Sequence, residues 1–156
     1  MWRYFGPGAG HGQLAIWWQG QYVSPPPAYP ALVSDDGWRI KGVGDFDANG
    51  RSDILWQYAG QMNHGQLAVW WNGQNLSPAP WYPGLVSDDN WVIKGIEDFD
   101  RDSRSDVLWQ FVGPSGQTTH GQLAIWFRGQ STNPVPAYPA VVGDNLVFQA
   151  TGTSGL

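Results

Sequence analysis

An internal repeat constrains this chain more than any other feature. His11-Gly12-Gln13-Leu14-Ala15-Ile16-Trp17-Trp18 returns as His64-Gly65-Gln66-Leu67-Ala68-Val69-Trp70-Trp71. It returns again as His120-Gly121-Gln122-Leu123-Ala124-Ile125-Trp126-Phe127. The first step is 53 residues and the second 56, and the extra three fall in the run 113–119. Asp45-Phe46-Asp47 also returns 53 residues on, as Asp98-Phe99-Asp100. A period of this length marks one supersecondary unit, copied so that each copy buries its apolar face against its neighbours.

Alternation and turn residues predict four strands per unit. In the central copy these are Trp38 to Val43, Ser52 to Tyr58, Gly65 to Trp71 and a short proline-rich strand within 75–85. Asn72-Gly73 is a hairpin turn signal after the third. Proline cannot donate to a ladder, so the fourth belongs at a sheet edge. The 21 Gly and 12 Pro favour turns over long helices. The expected fold class is therefore all-β, and four strands in about fifty residues is the pattern of a β-propeller blade. The chain, 1–156, is expected to be a single propeller domain with three four-stranded blades.

The ends of the chain are out of phase with the blade. Residues 1–6 match 55–60, the second strand of the unit, and 141–152 match 32–44, which end in its first strand. The units are therefore 1–31, 32–84, 85–140 and 141–156, with one blade split between the first and the last. Three blades are too few to close a ring, since propellers usually have four to eight. A head-to-tail homodimer closing a six-bladed ring is expected, which also hides two open strand edges. A cut-down fragment or an open arc of blades is the alternative.

The run Gly44-Asp45-Phe46-Asp47-Ala48-Asn49-Gly50-Arg51-Ser52-Asp53-Ile54-Leu55-Trp56, with the Gly-Gln-Leu-Ala-Val-Trp strand that follows, resembles the FG-GAP/VCBS-like β-propeller repeat in its bacterial branch. The resemblance covers nearly the whole chain. The family includes integrin α-type propellers, bacterial surface and secreted proteins, and a calcium-containing lectin that binds sugar between blades. The resemblance implies a propeller and calcium loops, but no single function. The chain departs from the family pattern at Trp18 and Trp71, where an aliphatic residue is usual. It departs again at the His before Gly-Gln and at the Tyr-Pro of the fourth segment.

The loop spacing supports the metal. Asp45, Asp47, Asn49 and Asp53 stand at loop positions 1, 3, 5 and 9, and Arg51 at position 7 offers its backbone carbonyl. Asp98, Asp100, Asp102, Arg104 and Asp106 repeat the set. All-oxygen ligands suit a hard cation, so two structural Ca2+ sites per chain are expected. Gly50 permits the sharp turn, whereas Ser103 in the second loop brings strain. No Glu stands at position 12, so neither loop is an EF-hand. The alternative is a pair of solvated acidic turns.

The 11 Trp divide by repeat position. Trp2, Trp56 and Trp109, with Trp17, Trp70, Trp126, Trp38 and Trp91, are expected to pack between blades. Trp18, Trp71 and Trp81 stand near the rim, and Tyr29, Tyr82 and Tyr138 recur before proline. These aromatics suit a sugar ring, with Gln and Asn amides for its hydroxyls. His11, His64 and His120 are candidate sugar contacts. Alternatively, each His bonds its own turn, and the Trp-Tyr-Pro group is a minicore pinning the outer strand.

Several functions are disfavoured. The formal charge is -5, from 8 Lys+Arg against 13 Asp+Glu, a poor match for nucleic acid or an anionic membrane. No cysteine is present, so thiolate chemistry and disulfides are out. No membrane-spanning apolar run is present, and no nucleophile or phosphate-cradling motif stands out. The expected function is a multivalent carbohydrate-binding protein (a lectin), not an enzyme, with glycans as partners. Secretion or a cell-surface location is expected over the cytoplasm, with no signal peptide visible. The alternatives are a calcium-stabilised adhesion or protein-interaction propeller, and an engineered repeat protein with no natural ligand.

Overall fold

A computed structural model of the chain describes residues 1–17 and 26–143. Trp18 and most of the 141–156 unit lie outside the described residues. The described part is all-β, with three small antiparallel sheets and only two short 3-10 turns. Among the described residues no helix is long and apolar enough to cross a membrane.

The central sheet is β3 (Trp38–Gly44), β4 (Asp53–Tyr58) and β5 (Leu67–Trp70), in that order. The third sheet repeats it as β6 (Trp91–Glu97), β7 (Asp106–Phe111) and β8 (Leu123–Trp126). The first sheet is the pair β1 (Trp2–Arg3) and β2 (Leu14–Ala15). The registers are superposable: Trp2 faces Ala15, Trp56 faces Ala68 and Trp109 faces Ala124. β3 alternates half-buried and exposed residues, as one face on the core and one in water require. A bulge at Lys41 and another at Lys94 shift the register of β3 and β6 by one residue.

The proline-rich fourth segment is not a continuous strand. It touches the third strand through single bridges, Val69 to Trp81 and Gln66 to Leu85 in the central copy. The physical reason is its composition: Pro78, Pro80 and Pro83 leave no N–H for a regular ladder. The hairpin signal holds, with Asn72 at φ 52 and Gly73 at φ 72.

The repeats bury their apolar faces jointly. One core cluster joins Phe46, Leu55, Leu67 and Val69 of the central copy to Val107, Trp109 and Ala124 of the next. Trp56 and Trp109 are buried as expected, but Trp2, at the same repeat position, is 58% exposed. Trp56 pairs with Ile40 of β3 and shares a core with Leu14 of the preceding copy, whereas among the described residues β1 pairs with β2 alone. Burial at this position comes from the neighbouring strand and the preceding copy rather than from the residue itself.

Candidate functional site

Each acidic loop gathers three carboxylates. Oxygen atoms of Asp45, Asp47 and Asp53 lie within 4.8 Å of one another, as do those of Asp98, Asp100 and Asp106. Asp53 and Asp106 are fully buried at the head of β4 and β7. The two oxygens of Asp53 accept N–H bonds from Phe46 at 2.9 Å and Asn72 at 2.8 Å. Asp106 accepts the matching pair from Phe99 at 2.9 Å and Arg128 at 2.7 Å. Burial pushes both carboxyls above the ordinary carboxylate range, and neighbouring aspartates add to that; the N–H bonds oppose it. Each cluster thus sets one buried carboxylate beside two that solvent reaches, Asp45 and Asp47 in part and Asp98 and Asp100 freely, and an all-oxygen set of this kind matches the donor chemistry of a hard divalent cation.

Position 5 is bonded within the loop. The Asn49 amide is turned into the loop, its Oδ1 accepting from the Arg51 N–H at 2.8 Å and its Nδ2 donating to Asp47 at 2.9 Å. Asp102 accepts from the Arg104 N–H at 2.9 Å and from Arg128 Nε at 2.6 Å. Burial works to raise the Asp102 carboxyl, but Arg128 and the Arg104 N–H outweigh it and hold it below the usual range.

Ser103 sits at φ 70, where Gly50 sits at φ 78. A side chain in this left-handed region costs about 1–2 kcal/mol, part of which glycine's extra unfolded-state entropy offsets. Ser103→Gly is therefore expected to stabilise the protein by about 0.5–1 kcal/mol. Urea denaturation reads this directly, and an unchanged or lower midpoint would refute the strain.

The His-Gly-Gln motif acts as a structural clamp. His64 Nδ1 bonds the Gly60 carbonyl at 3.3 Å, and Nε2 bonds Asp89 at 2.7 Å. His11 does the same with Gly6 and Asp36, at 3.1 and 3.0 Å, and His120 bonds the Gly113 carbonyl at 2.5 Å. Gln66 Nε2 donates to the Leu67 and Gly84 carbonyls, tying the proline-rich segment to β5. Gly65 has φ 81, and a Cβ there would overlap the Val86 carbonyl.

Both partners of His64 are acceptors, so the ring is best served with both nitrogens protonated. Its pKa is raised, chiefly by the Asp89 bond. A raised histidine pKa contributes stability that is fully present below the unfolded value of 6.5 and is lost as pH rises through the folded value. The stability difference between the native protein and His64→Gln is thus expected to be larger at pH 5.5 than at pH 8.5. Equal differences in paired denaturation curves would contradict the charged clamp.

Of the aromatic candidates among the described residues, the structure brings Trp71 and Trp81 together. Their rings stack at 5.8 Å with 14° between planes. Both pack partly against the core, and both line an open cleft of about 430 Å3 between the second and third sheets. Tyr29, Tyr82 and Tyr138 are 57–62% exposed, and Tyr138 lines a different cleft, with Trp91 and Trp109. Sequence reasoning missed Arg128 and Gln130 and read Arg104 as a metal-loop residue alone; all three line the Trp71 cleft from the neighbouring copy. One signal was in the repeat: Trp81 stands where the other copies have Ala28 and Ala137, and Arg128 where the central copy has Asn72.

Compared with family profiles, curated proteins and solved structures, the chain matches none.

Proposed function

We propose that the chain is a multivalent carbohydrate-binding protein, without catalysis, built on a calcium-stabilised β-propeller of the FG-GAP/VCBS type. The observation that carries the reading is the Trp71–Trp81 cleft. It combines a stacked indole pair with the Gln130 amide and two arginines. An indole face takes the C–H face of a pyranose, and the polar groups meet its hydroxyls. Its volume of about 430 Å3 falls in the range of small-ligand sites.

Asp45, Asp47 and Asp53 would hold one Ca2+, and Asp98, Asp100 and Asp106 a second. Each ion would supply the charge that relieves the repulsion among its carboxylates. The loops also bear on the cleft, since Asp47 and Arg104 both line it.

Each sheet with its proline-rich segment is read as a blade, and two chains joined head to tail as a six-bladed ring. The exposed Trp2 ring and the unpaired side of β1 support this, because a strand from a second chain would cover both. Two such clefts, one from each chain of the ring, would turn weak single-site affinity into avidity. An adhesion or protein-interaction role is the second reading, favoured by the exposed tyrosine at each copy.

A glycan array tests the function. The native protein in calcium is expected to bind at least one glycan, and Trp81→Ala to weaken that binding about tenfold, from lost stacking and apolar contact. A folded native protein that binds nothing at high density would sink the reading. So would a folded Trp81→Ala protein that binds as well as the native one.

A further inference from the structure

The repeat supplies its own internal comparison at a second cleft. Arg3 of β1 reaches the central copy with its side chain only 4% exposed. Its guanidinium donates to the backbone carbonyls of Trp38 at 2.5 Å, Val33 at 2.6 Å and Asp35 at 3.0 Å. It also meets the Asp36 carboxylate at 3.2 Å and lies 6.0 Å from the centre of the Trp56 ring. Fixed acceptors, one carboxylate and an aromatic face together make a guanidinium seat.

The third copy has the same seat. Val86, Asp88, Trp91 and Trp109 stand one repeat on from Val33, Asp35, Trp38 and Trp56. All four line one cleft of about 260 Å3, together with Trp126 and Tyr138. Asp89 stands where Asp36 does. Its carboxylate already bonds His64, as the Asp36 carboxylate bonds His11 while also taking Arg3. The residue facing this seat in the register is different. Arg3 pairs with Leu14 across its sheet, and Gln57 pairs with Leu67 at the matching place. Gln57 is shorter and uncharged, so it cannot fill the seat as Arg3 does.

We propose that the cleft between Val86 and Trp109 binds an arginine side chain presented by another protein or peptide. The carbonyls of Val86, Asp88 and Trp91 and the Asp89 carboxylate take the guanidinium N–H groups, and Trp109 offers its ring face. The acidic balance of the chain draws such a cation. The site is separate from the Trp71 cleft and does not depend on the sugar reading.

Calorimetry with N-acetyl-arginine methylamide, its lysine analogue and its neutral citrulline isostere tests this. The arginine compound is expected to saturate the native protein at one site per chain. Citrulline should bind at least about tenfold more weakly, because it loses the charge-assisted bonds. Gln57→Arg should fill the cleft from within, abolish binding and raise the melting temperature. Arg3→Gln, if it folds, should open the first seat and raise the stoichiometry to two. Absence of saturable binding to the native protein, equal affinity for citrulline, or undiminished binding to a folded Gln57→Arg protein would each overturn the proposal.

Discussion

Calcium at a hundred times its dissociation constant is expected to raise the melting temperature by about 10–20 °C. Each occupied site adds about 2.7 kcal/mol at that ratio, and two sites add about 5. A domain of this size gains roughly 2–4 °C per kcal/mol. The cause lies in the loops. Each holds three carboxylates within 4.8 Å, one of them fully buried. In chelator the N–H bonds from Phe46, Asn72, Phe99 and Arg128 are what offset that charge. Asp53→Asn or Asp106→Asn should each remove about half of the calcium-dependent rise while leaving the other site working. Scanning calorimetry in calcium and in chelator decides it, and superimposed transitions would refute the metal.

Trp109→Ala is expected to cost about 3–5 kcal/mol, the range for a buried aromatic truncated to Ala. Trp109 is 1% exposed and sits in the core shared by two copies. Trp2→Ala should cost under about 1 kcal/mol in the single chain, because an exposed ring loses little transfer free energy. The two residues hold the same repeat position, so what separates them is the neighbouring strand and the preceding copy. Under conditions where chains join, the cost at Trp2 should rise towards that at Trp109. Urea denaturation at low and high protein concentration measures both, and equal costs at low concentration would contradict the account of burial.

Much of this was legible in the sequence. Strand parity placed Trp56 and Trp109 inside, because period-2 alternation decides which side chains face a neighbouring sheet. The acidic spacing foretold the two carboxylate clusters, because loop positions 1, 3 and 9 depend on local backbone geometry alone. The His-Gly-Gln motif was harder to read. His64 pairs with Asp89, 25 residues away, a contact set by the path of the proline-rich segment rather than by the motif's own strand. The clefts were the least legible. Arg104 and Arg128 reach the Trp71 cleft from the next copy, and Arg3 reaches into the copy after its own. Contacts between copies need the stacking geometry, which no single unit carries.

The proposed ring is the reading in which the split blade is completed, the exposed Trp2 becomes covered and the sugar clefts come in a pair. Light scattering on the size-separated protein in calcium at micromolar concentration measures it most directly. The expected mass is twice the 17.2 kDa of one chain. A folded protein that elutes at a single chain's mass under those conditions would contradict the ring.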